Sequence, residues 1–183
     1  MTKKTLYEGK YKRFVSHRGW EFVERVKCGG VVVILAMTED GKVLLVEQER
    51  VPVGKRVIEL PAGLANDKAG HENETLEQAA LRELHEETGY HAEQMTLLFH
   101  GPLSPASSVD IASFFRATGL SKTGSGGGDE QESIVTHEIA LAGIDAWLHA
   151  REGEGILIDP KIYAGLYFLK QMQARTGPSG DAS

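Results

Sequence analysis

The stretch Thr75-Leu76-Glu77-Gln78-Ala79-Ala80-Leu81-Arg82-Glu83-Leu84-His85-Glu86-Glu87-Thr88-Gly89 reads as one well-bounded helix over 76–88. Thr75 and Gln78 form a capping-box pattern at its start, and Gly89 is the residue expected to stop it in a left-handed turn. At ~100° per residue, Leu76, Ala79, Ala80 and Leu84 share one arc. Glu83 and Glu87 fall inside that arc, and Glu86 sits at its edge. An amphipathic surface helix would put such carboxylates on the opposite face. They also occupy the last two turns, where the helix dipole disfavours negative charge. Carboxylates converging in this way repel one another unless a cation neutralises them. An oxygen-only donor set suits Mg²⁺, Mn²⁺ or Ca²⁺, with Mg²⁺ the natural choice inside a cell. Arg82 can pair with Glu86 one turn on. The alternative is an ordinary Glu-rich helix face turned to solvent.

Upstream, Thr5–Val15 and Trp20–Val26 read as two extended segments joined by a hairpin turn at Ser16-His17-Arg18-Gly19. Gly29-Gly30 introduces the β-branched run Val31–Leu35. Thr38-Glu39-Asp40-Gly41 is a tight turn into a strand over Lys42–Glu49, and a short strand, Arg56–Leu60, ends at Pro61-Ala62-Gly63. Downstream, strands are expected at Met95–His100, Ile111–Ala117 and Ser133–Ala140, with Gly124–Gly128 a flexible insert. Helices follow over Leu141–Arg151 and Pro160–Ala174, the latter opened by Asp159-Pro160. The order implies an α+β layered domain with a mixed sheet, closed by a frayed tail over 175–183.

A chain of 183 residues, 41% apolar and 25% charged, has material for one folded domain. Twenty Lys and Arg against 26 Asp and Glu give a net charge of −6, which speaks against a nucleic-acid sheath. No apolar run approaches a membrane span, and the first residues lack a signal-peptide pattern, so a cytoplasmic location is expected. The single cysteine, Cys28, excludes an internal disulfide or a Cys-based zinc cluster and reads as a buried small residue. The seven histidines show no zinc spacing.

Glu74 followed by Arg82-Glu83-Leu84-His85-Glu86-Glu87-Thr88-Gly89-Tyr90 resembles the Nudix box: Glu, seven residues, then Arg-Glu-apolar-x-Glu-Glu-x-Gly-apolar. Glu59-Leu60-Pro61-Ala62-Gly63 is similar to the strand end that precedes the box in ADP-ribose and nucleoside-diphosphate-sugar pyrophosphatases. Ten residues separate Gly63 from Glu74, more than the family pattern has, so Ala65–Glu72 contains a loop insertion. The resemblance implies a Nudix α/β/α sandwich over 28–174. It also implies a small antiparallel β subdomain at 1–27 of the kind such pyrophosphatases use to pair subunits, hence a homodimer with shared sites.

The same resemblance implies roles. Glu83, Glu86 and Glu87, with the Ala62 carbonyl, would hold Mg²⁺ (or Mn²⁺), and Arg82 would steady Glu86. Asp129-Glu130-Gln131-Glu132 resembles the acidic loop of the family, which makes Glu130 the expected base, Glu132 an outer metal contact and Glu86 the alternative base. Following Gly126-Gly127-Gly128, these residues could swing in when substrate binds. Arg50 matches a phosphate-holding arginine. Arg56 and Glu59 would help line the site, and Trp20 could stack on a base. Ser104-Pro105-Ala106 resembles a Ser-Pro-Gly substrate loop, with Asp110 where the family usually has Glu.

The expected activity is Mg²⁺-dependent hydrolysis of a nucleoside diphosphate sugar, ADP-ribose first, to AMP and ribose 5-phosphate. GDP-mannose or another such sugar is the alternative within the enzyme class. A catalytically silent nucleotide-binding sensor is the alternative outside it, although silent relatives tend to lose the carboxylates kept here at 83, 86 and 87. A protein-interaction domain with an acidic helix would leave Pro61-Ala62-Gly63 without a purpose.

Overall fold

Chain order in the computed structural model, which describes residues 2–128 and 133–176, is β1 (Lys4–Glu8), β2 (Lys12–His17), β3 (Trp20–Arg25), β4 (Gly30–Ala36), β5 (Lys42–Arg50), β6 (Lys55–Glu59), β7 (Ala62–Ala65), α1 (Leu76–Thr88), β8 (Tyr90–Pro102), β9 (Ile111–Lys122), β10 (Val135–Ala140), α2 (Ile144–Gly153), β11 (Leu157–Ile158) and α3 (Lys161–Thr176). The apolar run in β4 organises the interior. Successive side chains point to opposite faces, so Val31, Val33 and Leu35 enter one core with Ile144, Leu148, Ile162 and Leu166 of α2 and α3. Val32, Ile34 and Ala36 enter a second core with Ala79, Ala80 and Leu84 of α1. Both faces of β4 are buried, as its unbroken hydrophobicity requires. The sheets therefore lie between α1 on one side and α2 with α3 on the other, the expected α/β/α arrangement.

One sheet runs β7-β4-β9-β8 and the other β10-β5-β6-β11. The β4–β9 and β6–β11 pairs are parallel, so both sheets are mixed. Pro61 marks the transfer between them. Having no N–H, it cannot continue the ladder of β6, and its carbonyl instead accepts from the Ile34 amide at 2.8 Å. That bond delivers Ala62–Ala65 onto β4 as an antiparallel strand. The two-residue strand β11 and the strand β7 are additions to the expected elements.

The small sheet β1-β2-β3 is antiparallel, with a two-residue turn at Arg18 (φ 51°) and Gly19 (φ 82°). Thr5–Val15 is not one extended segment. It divides at Gly9, whose amide donates to the Lys12 carbonyl at 2.9 Å. The sheet is fastened to the rest of the molecule through Val23, whose amide donates to the Ser107 carbonyl (2.9 Å) and whose carbonyl accepts from the Val109 amide (3.3 Å). Downstream, β8 and β9 are longer than their expected cores because they pair with each other from Tyr90↔Lys122 to Pro102↔Ile111. Leu141–Gly143 is a 3₁₀ turn that precedes α2 rather than its first turn. Cys28 is half-buried, with its thiol against the Gly30 carbonyl at 3.1 Å. Among the described residues, no helix is long and apolar enough to cross a membrane.

Candidate active site

The helix begins as its sequence dictates. Thr75 Oγ1 accepts from the Gln78 amide (3.2 Å), and Gln78 Oε1 accepts from the Thr75 amide (2.8 Å). It ends at Gly89, with φ 75°. Leu84 is fully buried, and a leucine so placed contributes about 1.5–3 kcal/mol relative to exposure. That anchoring holds the acidic positions inward, leaving Glu83 8% and Glu87 3% exposed.

Arg82 is the hub of the surrounding charges. Its guanidinium donates to Glu74 through Nη2 (2.8 Å) and Nε (3.1 Å), and to the Leu64 carbonyl at 2.9 Å. It also reaches Glu83 at 2.8 Å and Glu86 at 3.1 Å. The expected Arg82–Glu86 pair is therefore present, within a larger network. The Arg82 hydrogen bonds hold the Glu74 carboxyl below its ordinary range despite burial. For Glu83, burial outweighs the help from Arg82 and pushes its pKa up.

Gly63 makes room for this carboxylate. A Cβ at that position would lie 2.0 Å from Glu83 Cδ, so any side chain there would expel it. One residue earlier, the Ala62 amide donates to Glu87 Oε2 at 3.0 Å. The Pro61-Ala62-Gly63 corner thus presents backbone directly to Glu83 and Glu87, two of the three carboxylates in the last two turns of the helix.

Gly124–Gly128 is not a free insert. The amides of Thr123 and Gly124 donate to the Gly89 carbonyl (2.9 and 3.0 Å), that of Gly127 to the Glu87 carbonyl (3.0 Å), and that of Gly128 to the Glu86 carbonyl (3.0 Å). The loop caps carbonyls that the helix end leaves without partners. Glycine is required because the strap lies flat on the helix terminus: at Gly126, with φ 66°, a Cβ would come within 2.5 Å of the Thr88 carbonyl carbon.

Beside the carboxylates opens a cavity of about 410 Å³, lined by Arg25, Arg50, Glu59, Ala62, Lys68, Glu83 and Lys161 among others. Arg50 donates to Glu59 at 2.5 Å, so these two expected site residues meet there. Burial raises the Glu59 pKa against the pull of Arg50. Arg56 turns elsewhere, to the buried Glu47, which His137 also contacts at 2.8 Å. Trp20 lines a separate, more apolar groove with His17, Phe22, Pro105 and Val109. Ser104, in the neighbouring loop, bonds Ser107 hydroxyl to hydroxyl at 2.6 Å. Glu130 and Glu132 lie outside the described residues.

The donor set of Glu83, Glu86, Glu87 and the Ala62 carbonyl is all oxygen and fits a hard divalent cation. As placed, no three Asp, Glu, His or Cys side chains among the described residues close around one point. Arg82 and Lys68 draw Glu83 and Glu86 toward themselves, while the Ala62 amide holds Glu87.

Arg25, Lys68 and Lys161 escaped the sequence reading. Arg25 ends β3 and is paired with Asp110 at 3.2 Å, a tertiary contact with no local signature. Lys161 does carry a signal. It stands in the first turn of α3, at the end of a helix dipole that disfavours a cation, and pairs with Asp159.

Similarity to known proteins identifies the family. The NUDIX domain family matches residues 27–148. The chain is 39% identical over 152 residues to a methanol dehydrogenase activator of Bacillus methanolicus, and 33% identical over 152 residues to an ADP-ribose pyrophosphatase of Bacillus subtilis. Each match spans 82% of this chain and 77% of the relative. The crystal structure of an ADP compounds hydrolase superposes with a TM-score of 0.72 at 19% identity, covering 97% of this chain and 94% of that one, which shows the shared fold. With its acidic helix, its Pro61-Ala62-Gly63 corner and its α/β/α layers, the chain belongs to the Nudix family of hydrolases.

Proposed function

We propose that the chain hydrolyses the pyrophosphate of a nucleoside diphosphate sugar, ADP-ribose first, to AMP and ribose 5-phosphate. The observation that carries this is the inward acidic face of α1 opening onto a cavity that Arg25, Arg50, Lys68 and Lys161 also line. Cations beside carboxylates suit a polyanion that arrives with metal. The likeness to the Bacillus subtilis ADP-ribose pyrophosphatase supports the choice of substrate.

Glu83, Glu86, Glu87 and the Ala62 carbonyl would hold the divalent ion, Mg²⁺ by preference and Mn²⁺ as a substitute. When bound, it neutralises pyrophosphate oxygens and polarises phosphorus toward water. The guanidinium of Arg50 offers a planar fork to phosphate oxygens, and its pairing with Glu59 pre-sets that fork before substrate arrives. Arg82 keeps the acidic side chains in register. Glu130 is assigned as the base that takes the proton of the attacking water and Glu132 as an outer metal contact, and Glu86 is the substitute base. A second reading, GDP-mannose hydrolysis, draws on 31% identity over 94 residues, 48% of this chain, to a GDP-mannose pyrophosphatase of Yersinia pestis, while Asp110, where the family usually has Glu, weakens the choice of ADP-ribose.

The test is a panel of nucleoside diphosphate sugars with product identification. AMP release from ADP-ribose that requires Mg²⁺, falls about 100-fold or more in Glu87→Gln and slows strongly in Glu130→Gln is the expected outcome. GMP release from GDP-mannose alone would select the second reading. Unchanged turnover in Glu130→Gln would move the base role to Glu86. Tight nucleotide binding without phosphomonoester release would make the protein a sensor.

A further inference from the structure

The long connection between β7 and α1 sends a residue back into the acidic cluster. Lys68 Nζ lies 2.8 Å from Glu86 Oε2, the same oxygen that Arg82 Nη1 reaches at 3.1 Å. The two cations differ in exposure. Arg82 is 10% exposed and fixed by Glu74 and the Leu64 carbonyl. Lys68 is 33% exposed, and its partner Glu86 31%. A partly solvated ion pair on a flexible four-carbon stem exchanges easily. Lys68 also borders the cavity, so an ammonium released from Glu86 stays beside the space assigned to phosphate.

We propose that Lys68 is a positioning residue acting through Glu86: it holds that carboxylate in a cation-free arrangement and yields when a divalent ion enters, a role that rests on the carboxylates being the ion's seat. A divalent ion approaching Glu86 Oε2 meets an ammonium already in contact with it, and like charges at such separation repel even where the pair is partly solvated. The lysine therefore weakens ion uptake by the empty protein. Once displaced, the same charge faces the incoming pyrophosphate, so ion and substrate binding favour each other.

The test is Mn²⁺ titration of the full chain without substrate, with free Mn²⁺ followed by its electron paramagnetic resonance signal. Lys68→Met and Lys68→Gln are expected to bind Mn²⁺ about three- to tenfold more tightly than the unaltered protein. Lys68→Arg, which keeps the charge, should not tighten binding, nor should Glu72→Gln in the same loop. Equal or weaker affinity in both neutral variants overturns the proposal, as does equal tightening in Lys68→Arg or Glu72→Gln. If neither the unaltered protein nor the two neutral variants take up Mn²⁺, the metal assignment falls and the proposal with it. ADP-ribose turnover measured in parallel separates that result from failure of the proposed reaction.

Discussion

Glu74 sits ahead of the helix, yet it fixes what the helix does. Its carboxylate accepts from Arg82 twice and from the Asn66 amide at 3.2 Å, tying the start of the loop to the charge hub. Because these bonds lower its folded pKa, Glu74 stabilises the protein fully above its ordinary value near 4.5. That contribution disappears as pH falls through the lowered folded pKa. Glu74→Gln is expected to lose about 2–3 kcal/mol at pH 7, measured by urea denaturation. The deficit relative to the unaltered protein should shrink below pH 4.5. A deficit that stayed constant down to pH 3 would count against the ion pair as its source. At this scale the sequence discloses which residues are exceptional, not whom they meet. Glu83 and Glu87 stand out because they break helix amphipathicity. Arg56 looks as suitable as Arg50 along the chain, and only the strand pairing sends it to Glu47 instead.

The helix was legible end to end because capping and termination are local chemistry, and its limits match the expected 76–88. The glycine strap was not. Its repeated Gly suggests freedom, whereas its amides are spent on the carbonyls of Glu86, Glu87 and Gly89. Nothing along the chain announces partners some forty residues earlier. Gly126→Ala is the direct probe, since its Cβ meets Thr88 backbone at a positive φ. The expected cost is about 1–3 kcal/mol, read by thermal or urea unfolding, together with slower turnover because Glu130 follows closely in sequence. A variant as stable and as active as the parent would show that the strap is slack. The same reasoning explains the missing β7. A four-residue strand after a proline has little pattern of its own and exists because β4 offers an open edge.

For the molecule as a whole, the alternation of β4 between two cores fixes the layer order. The hydrophobicity of that run calls only for burial on both faces, and the expectation of an α/β/α sandwich comes from the resemblance to the family. Nor does hydrophobicity alone assign a role to the small sheet. Tyr7, Tyr11 and Trp20 on it are 71%, 69% and 62% exposed, more aromatic surface than a solvated edge requires. A homodimer, which the resemblance to the family leads one to expect, would cover this surface. Trp20→Asp is expected to shift the protein from dimer to monomer in sedimentation velocity, while a parent that sediments as a monomer at micromolar concentration would remove the idea. The cavity, meanwhile, draws its walls from distant parts of one polypeptide, with Arg25 before the first core strand and Lys161 on α3. A nascent chain still lacking α3 therefore has no finished receptacle, and ligand capture during synthesis on the ribosome must wait until α3 has emerged and docked.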